Sequence, residues 1–190
     1  MCAAVAKTSQ EDIVLAAREI IERGGPDAVT MNEVARLVGV KAPSLYKRYA
    51  DRSALLRAVQ VAVIRELQIA LEKVPCGEPR EVLTRMSVVY RGYARRNPES
   101  YKLLFNGVPE DQATRTARVA SARRVLTETA RLVGDARALP AARTMIAFLH
   151  GFIAMELHGA FRTGGRVEDA FRFGMQAVLM GVDAAADRRR

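Results

Sequence analysis

Between Lys41 and Arg57 the chain gathers five cations, Lys41, Lys47, Arg48, Arg52 and Arg57, against the single acid Asp51. Cations interleaved with Ser44 and Tyr46 hold phosphate oxygens by charge and hydrogen bonding, with no covalent step. The same segment contains Ser44-Leu45-Tyr46-Lys47, the S-x-x-K spacing of acyl-transferring serine enzymes. That chemistry needs S-D-N and K-T-G partners, and the sequence has neither. It also lacks G-x-S-x-G, a Walker loop and H-E-x-x-H, so the match is accidental and no enzyme is expected. His150 and His158 stand eight residues apart, not the four that would turn both toward one metal ion. Cys2 and Cys76 form no C-x-x-C pair. No metal and no other cofactor are expected.

The 190 residues carry a formal charge of +9, but the excess is unevenly placed. Residues 1–60 hold nine Lys/Arg against seven Asp/Glu, while residues 61–190 hold 21 against 14. Net charge therefore supports a polyanionic partner without locating its site. The closing Arg188-Arg189-Arg190 is expected to be a solvated end, and residues 1–7, which lack periodicity, a mobile one. Apolar residues make up 49% of the chain, with Ala, Leu, Arg, Glu and Met recurrent and no alternating β-branched runs. An all-α fold is expected. The N-terminus is too short and too weakly apolar for a signal peptide. The most apolar stretch, Met145 to Met155, is broken by His150 and Gly151 and falls short of a membrane span. Two cysteines suit a reducing compartment. The expectation is a cytoplasmic protein without a membrane partner.

Helix signals divide the chain into about nine segments. Thr8 and Glu11 have capping-box spacing ahead of Ile13, Val14, Ala17, Ile20 and Ile21, and Gly24-Gly25-Pro26 stops that helix. A second box, Thr30 to Glu33, opens a short helix carrying Val34, Leu37 and Val38 and closed by Gly39. The spacing predicts further helices over 42–49, from Asp51 to the Pro75-Cys76-Gly77 stop, and over 79–96, 99–105, 110–133, 140–162 and 167–187. Gly107-Val108-Pro109 is expected to form a loop. There is no internal repeat. The first three helices, short and close-set, make a head over 7–67, and the longer helices make a body over 68–190.

A helix, a tight turn at Gly39 and a second short helix form a helix-turn-helix pattern. Ala35 is small where two helices must cross, Gly39 can adopt the left-handed conformation that ends the first, and Val40 and Leu45 point inward. Pro43 lies in the first turn of the second helix, where a missing amide costs little. The ungapped run TMNEVARLVGVKAPSLYKRYADRSALL over 30–56 resembles the tetracycline-repressor (TetR) family, whose pattern reads T-x-x-x-I-A-x-x-A-G-V-s-x-x-x-L-Y-x-H-F-x-x-K-x-x-L. Arg48 replaces the usual His and Arg52 the usual Lys; both keep a cation near phosphate. The resemblance implies a dimeric regulator of double-stranded operator DNA, most simply a repressor released by a small-molecule effector. Its implied DNA contacts are Thr30, Met31 and Asn32, then Lys41, Ala42, Pro43 and Ser44 at the groove-entering end. Tyr46, Lys47, Arg48 and Arg52 would hold phosphate, with base reading by Lys47 left open and Tyr49 placed in the core.

Phe148-Leu149-His150-Gly151-Phe152, preceded by Asn97-Pro98-Glu99-Ser100-Tyr101, is similar to TetR-type bodies named for a Trp-His-Gly motif. An effector pocket in such a body would draw on Met86, Tyr90, Tyr93, Tyr101, Leu104, Phe105, Met145, Phe148, Phe152 and Met155. Small and apolar residues on the last two helices are expected to form the dimer interface. They are Ala147, Gly151, Ala154 and His158 on one, and Phe171, Gly174, Met175, Val178 and Val182 on the other. The competing class is an all-helical small-molecule- or partner-binding protein without specific DNA binding.

Overall fold

A computed structural model describes residues 8–105 and 109–187, with side chains to 185. The expectations for residues 1–7, for the Gly107-Val108 loop and for the arginine tail lie outside the described residues. Among the described residues every regular element is helical: α1 (Gln10–Gly24), a 3-10 turn (Pro26–Ala28), α2 (Met31–Leu37), α3 (Ala42–Tyr46), α4 (Arg52–Glu72), α5 (Pro79–Arg96), α6 (Pro98–Leu103), α7 (Gln112–Val133), α8 (Asp135–Leu157) and α9 (Val167–Asp187).

Several boundaries differ from the sequence expectations. The box at α1 is Ser9 with Asp12, one residue later than expected: Asp12 N–H donates to Ser9 Oγ at 3.0 Å and Ser9 N–H to Asp12 Oδ2 at 2.7 Å. The Ser9 backbone amide holds the Asp12 carboxyl below its ordinary value. Helix α3 ends at Tyr46 rather than at 49. Helix α8 starts at Asp135, so Pro140 lies inside it, and it stops at Leu157. Gly134, at φ 80°, sets that start. Pro140 removes only the bond to the Ala136 carbonyl, one turn in and on the exposed side. Gly159, at φ 64°, ends the helix, and Ala160 N–H reaches back to Met155 O at 2.9 Å, the six-to-one bond of a Schellman close.

The chain forms two compact units, Met1–Glu66 with Asn97–Arg118, and Leu67–Arg96 with Val119–Arg190. The return of 97–118 to the first unit is absent from a linear division at 67/68. In the first unit Ile13, Ala17 and Ile21 of α1, Val34 of α2, Leu45 of α3 and Leu55 and Val59 of α4 are buried together with Tyr101 and Leu103 of α6. Glu22 on α1 accepts the Ser100 amide at 2.9 Å and the Glu99 amide at 3.3 Å, capping α6, whose own N-cap Asn97 makes no side-chain cap. Gln60 donates to the Leu103 carbonyl at 2.7 Å and ties α6 to α4.

The second unit packs α5, α8 and α9 on one another. Its core holds Leu83, Ala142, Met145, Leu149, Phe171, Met175 and Leu179. Beside it Arg91, buried on α5, donates to both Glu156 carboxylate oxygens of α8 at 2.8 and 2.7 Å and to Glu168 of α9 at 2.7 Å. The guanidinium stacks 4.4 Å from the Phe171 ring centroid. One side chain thus joins three helices. Helix α8 is 23 residues long with a most apolar window of mean hydropathy 1.4, long and apolar enough to cross a bilayer by length and composition. Its Met145, Leu149 and Ile153 are nevertheless buried inside the unit and its Glu156 is held by Arg91.

Candidate nucleic-acid interface

Helix α2 begins where Thr30 Oγ1 accepts the Glu33 amide at 3.1 Å. The reciprocal half of the expected box is missing, because the Glu33 carboxylate turns to Arg36 at 2.6 and 3.0 Å. That bond holds Glu33 below its ordinary value. The turn closes as a Schellman motif: Gly39 N–H bonds Arg36 O at 3.3 Å, Val40 N–H bonds Ala35 O at 2.9 Å, and Gly39 takes φ 73°. A side chain at position 39 would meet no neighbour, so conformation rather than space demands the glycine.

Helix α3 is anchored by fully buried Leu45 and followed by buried Tyr49, as a core position should be. Around that anchor Lys41, Pro43, Ser44, Tyr46 and Lys47 are exposed, and Ala42 and Arg48 half-buried. Tyr46 is 54% exposed, a large apolar ring left outside. Lys41, Lys47 and Arg48 have no ion-pair partner among the described residues, whereas Arg18, Arg23, Arg36, Arg52 and Arg57 of the same unit each have one. Three cations without ion pairs, at the two ends of one short helix, give a positive, hydrogen-bond-donating ridge. Asp51 faces away from neutralising it: its carboxylate accepts the Ala54 amide at 2.7 Å and caps α4.

Two expected contacts are corrected by this geometry. Met31 is 6% exposed and belongs to the core, because the first residue of α2 turns its side chain inward beside Val34 and Ala35. Arg52 donates to the carbonyls of Val29 at 2.8 Å and Pro26 at 2.6 Å and pairs with Asp27 at 3.2 Å. It therefore clamps the turn that leads into α2 and positions the motif. Thr30 and Asn32 are exposed.

The expected effector-pocket residues are divided between the two units. Tyr101, Leu104 and Phe105 belong to the first unit and the other seven to the second. Phe105 and Met155 are 43% and 50% exposed; helical rotation puts Met155 opposite the buried Ile153. Met86, Tyr90 and Tyr93 are buried, and Met145 belongs to the packed core with Phe148 and Phe152 against it. Among the described residues no three His, Cys, Asp or Glu gather as metal ligands.

The expected interface residues also split. Ala147, Gly151 and His158 are exposed on α8 and Ala154 is half-buried. Phe171 and Met175 are instead core, and Val178 packs against that core. Gly174 faces Phe148, whose Cζ would lie 2.5 Å from a Cβ there. The open face of α9 carries Phe173, 75% exposed, Met180, 63% exposed, and exposed Ala177 and Ala184. Spacings of four, three and four along a helix place these on one stripe. This stripe was missed because Phe171 with Met175 and Phe173 with Met180 both fit a helical period, so spacing alone does not say which pair faces inward.

A three-helix head with an exposed cationic second motif helix is a helix-turn-helix DNA-binding unit. Residues 13–59 match the family model of bacterial regulatory proteins of the tetR family, and residues 83–178 match a tetracyclin repressor-like C-terminal domain. The uncharacterized HTH-type transcriptional regulator Rv0681 of Mycobacterium tuberculosis is 32% identical over 158 residues, covering 81% of this chain and 72% of that protein. The chain belongs to the TetR family of DNA-binding transcription regulators. Its fold is similar to a Rhodococcus sp. RHA1 protein of unknown function at TM-score 0.81 and 20% identity, covering 95% and 98% of the two chains. It is also similar to TetR from Acinetobacter baumannii AYE at TM-score 0.73 and 18% identity, covering 95% and 100%.

Proposed function

We propose that the chain is a cytoplasmic homodimeric repressor that holds a near-palindromic operator through α3 and releases it on binding a small molecule. The observation that carries the operator half is the set of unpaired cations, Lys41, Lys47 and Arg48, around exposed Tyr46 on one side of buried Leu45. Lys41, Ala42, Pro43 and Ser44 would enter the major groove, Tyr46, Lys47 and Arg48 would grip phosphate, and Thr30 and Asn32 would touch the adjoining backbone. The second copy would seat on the exposed stripe of Phe173, Ala177, Met180 and Ala184 with Ala147, Gly151 and Met155 of α8, since large apolar side chains in one contiguous patch favour burial. Two-fold pairing would set the recognition helices about 34–36 Å apart, one DNA turn.

Release by an apolar or amphipathic effector gains support from a variant of the Acinetobacter TetR solved in complex with minocycline. Such an effector must bind the DNA-incompetent state more tightly. The narrower likeness to a Trp-His-Gly body belongs to the same proposal. Selection of bound genomic fragments should yield an inverted repeat, and deletion of the gene should raise transcription from that site. A chain that enriches no sequence is a small-molecule or partner-binding protein instead, and reduced transcription on deletion would make it an activator.

A further inference from the structure

The end of α4, the loop after it and the outer side of α5 border an open cleft of about 390 Å³ within the second unit. Its walls are Ala70, Val74 and Pro75 on one side and Val88 and Val89 on the other. Val88 is exposed although large and apolar. The charged groups lining the cleft are Lys73 and Arg85, and no carboxylate lines it. Lys73 has no ion-pair partner among the described residues, and Arg85 has only a solvent-facing pair with Glu81 at 3.1 Å. The volume falls in the range of about 300–1,000 Å³ of small-ligand sites.

The wall is held open by the fold. Arg124 of α7 donates to the Leu71 carbonyl at 3.1 Å and to the carbonyls of Glu72 and Val74, closing the end of α4. Arg131 donates to the Gly77 carbonyl at 3.2 Å. A Cβ on Gly77 would stand 3.1 Å from Arg85 Nη2, so the glycine lets the loop approach the arginine. Two guanidiniums of α7 thus fix the end of α4 and the loop to α7. The loop cannot fold down to cover Val88 without breaking these bonds.

We propose that this cleft binds a soluble amphiphile with an apolar chain and one anionic head, of the class of a medium-chain carboxylate. Its chain would lie between Val74 and Val88 and its carboxylate between Lys73 and Arg85. This goes beyond the operator and effector assignments and requires neither. Calorimetry of the full chain with octanoate, octan-1-ol and octylammonium, each below its micelle-forming concentration, tests it. Octanoate should bind about tenfold or more tightly than the alcohol, as two charge-assisted contacts imply, and the amine should not bind. Lys73→Gln with Arg85→Gln should bring octanoate to the level of the alcohol. Val88→Asp, an exposed change that leaves the fold intact, should remove binding. Equal affinity for the acid and the alcohol would overturn the proposal. So would affinity unchanged in both variants, or no octanoate binding, including where phosphatidylglycerol vesicles capture the chain.

Discussion

The helix-turn-helix face and the α8–α9 face are both exposed, and they are opposite in chemistry. Around α3 the surface keeps Lys41, Lys47 and Arg48 without an ion-pair partner among the described residues. On α9 it keeps Phe173 and Met180 without apolar cover. Other groups are satisfied within the chain: Arg52 is bound by the turn before α2, Arg91 by two glutamates, and Phe171 and Met175 by the core. A polyanion would supply the neutralisation that the first face lacks, and a like surface the burial that the second lacks; these are the partners proposed above.

The largest effect should come from breaking the apolar face. Phe173→Glu places a charge that two-fold pairing would bury twice. It should weaken the dimer by about 4 kcal/mol or more, roughly a thousandfold in its dissociation constant. Analytical ultracentrifugation reads this, and an unchanged melting temperature of the monomer would confirm that the residue has no core role. A variant that still dimerises moves the interface off α9. Gly174 is unsuited to the same test, because any side chain there strikes Phe148 within one chain.

Next in size is the ion-paired hub. Arg91→Ala leaves Glu156, itself nearly buried, without its bidentate partner, and should cost about 3–5 kcal/mol of stability. Thermal denaturation should show the loss as a fall of roughly 10 °C. Arg91→Met restores packing against Phe171 but not the bonds, and should lose nearly as much. If both variants melt like the wild type, Arg91 does not hold α8 and α9 to α5.

A smaller effect sharpens the cationic face. Lys47→Ala should weaken operator binding by about 1 kcal/mol, roughly fivefold, and lower the slope of log affinity against log salt by about 0.9, the signature of one phosphate contact. Relaxed preference at one base pair with the slope unchanged would make Lys47 a base reader. Arg52→Ala should act differently. Its loss frees the carbonyls of Val29 and Pro26 and should lower the melting temperature of the head, whereas Lys47→Ala should not.

The smallest expected effect is a pH dependence. The Arg91 hydrogen bond holds the Glu168 carboxyl below its ordinary value. A depressed carboxylate stabilises the fold fully above the ordinary glutamate range, near pH 4.3, and that contribution is lost as pH falls through the lower folded value. Melting temperature should therefore drop more steeply on acidification in the wild type than in Glu168→Gln. Parallel curves would show that this half-exposed pair contributes nothing measurable.

The sequence alone determined the helical class, the ends of α5, and the register of the motif from Thr30 to Leu56. Those features are local: capping spacings, a Gly that must take positive φ, prolines at helix starts, and a 3.6-residue period in helices with one polar face. The exposure of Lys41, Pro43, Ser44, Tyr46 and Lys47 followed from that register as well, because one buried Leu45 fixes which way a two-turn segment faces. Only the tertiary structure decided the rest. It sent Met31 into the core, gave Arg52 to backbone carbonyls 23 and 26 residues away, and returned 97–118 to the first unit. It also chose, on α9, Phe171 and Met175 for the interior and Phe173 and Met180 for the outside. Partners distant along the chain compete for the same guanidinium or the same helix face, and which partner wins is set by packing that no local spacing encodes.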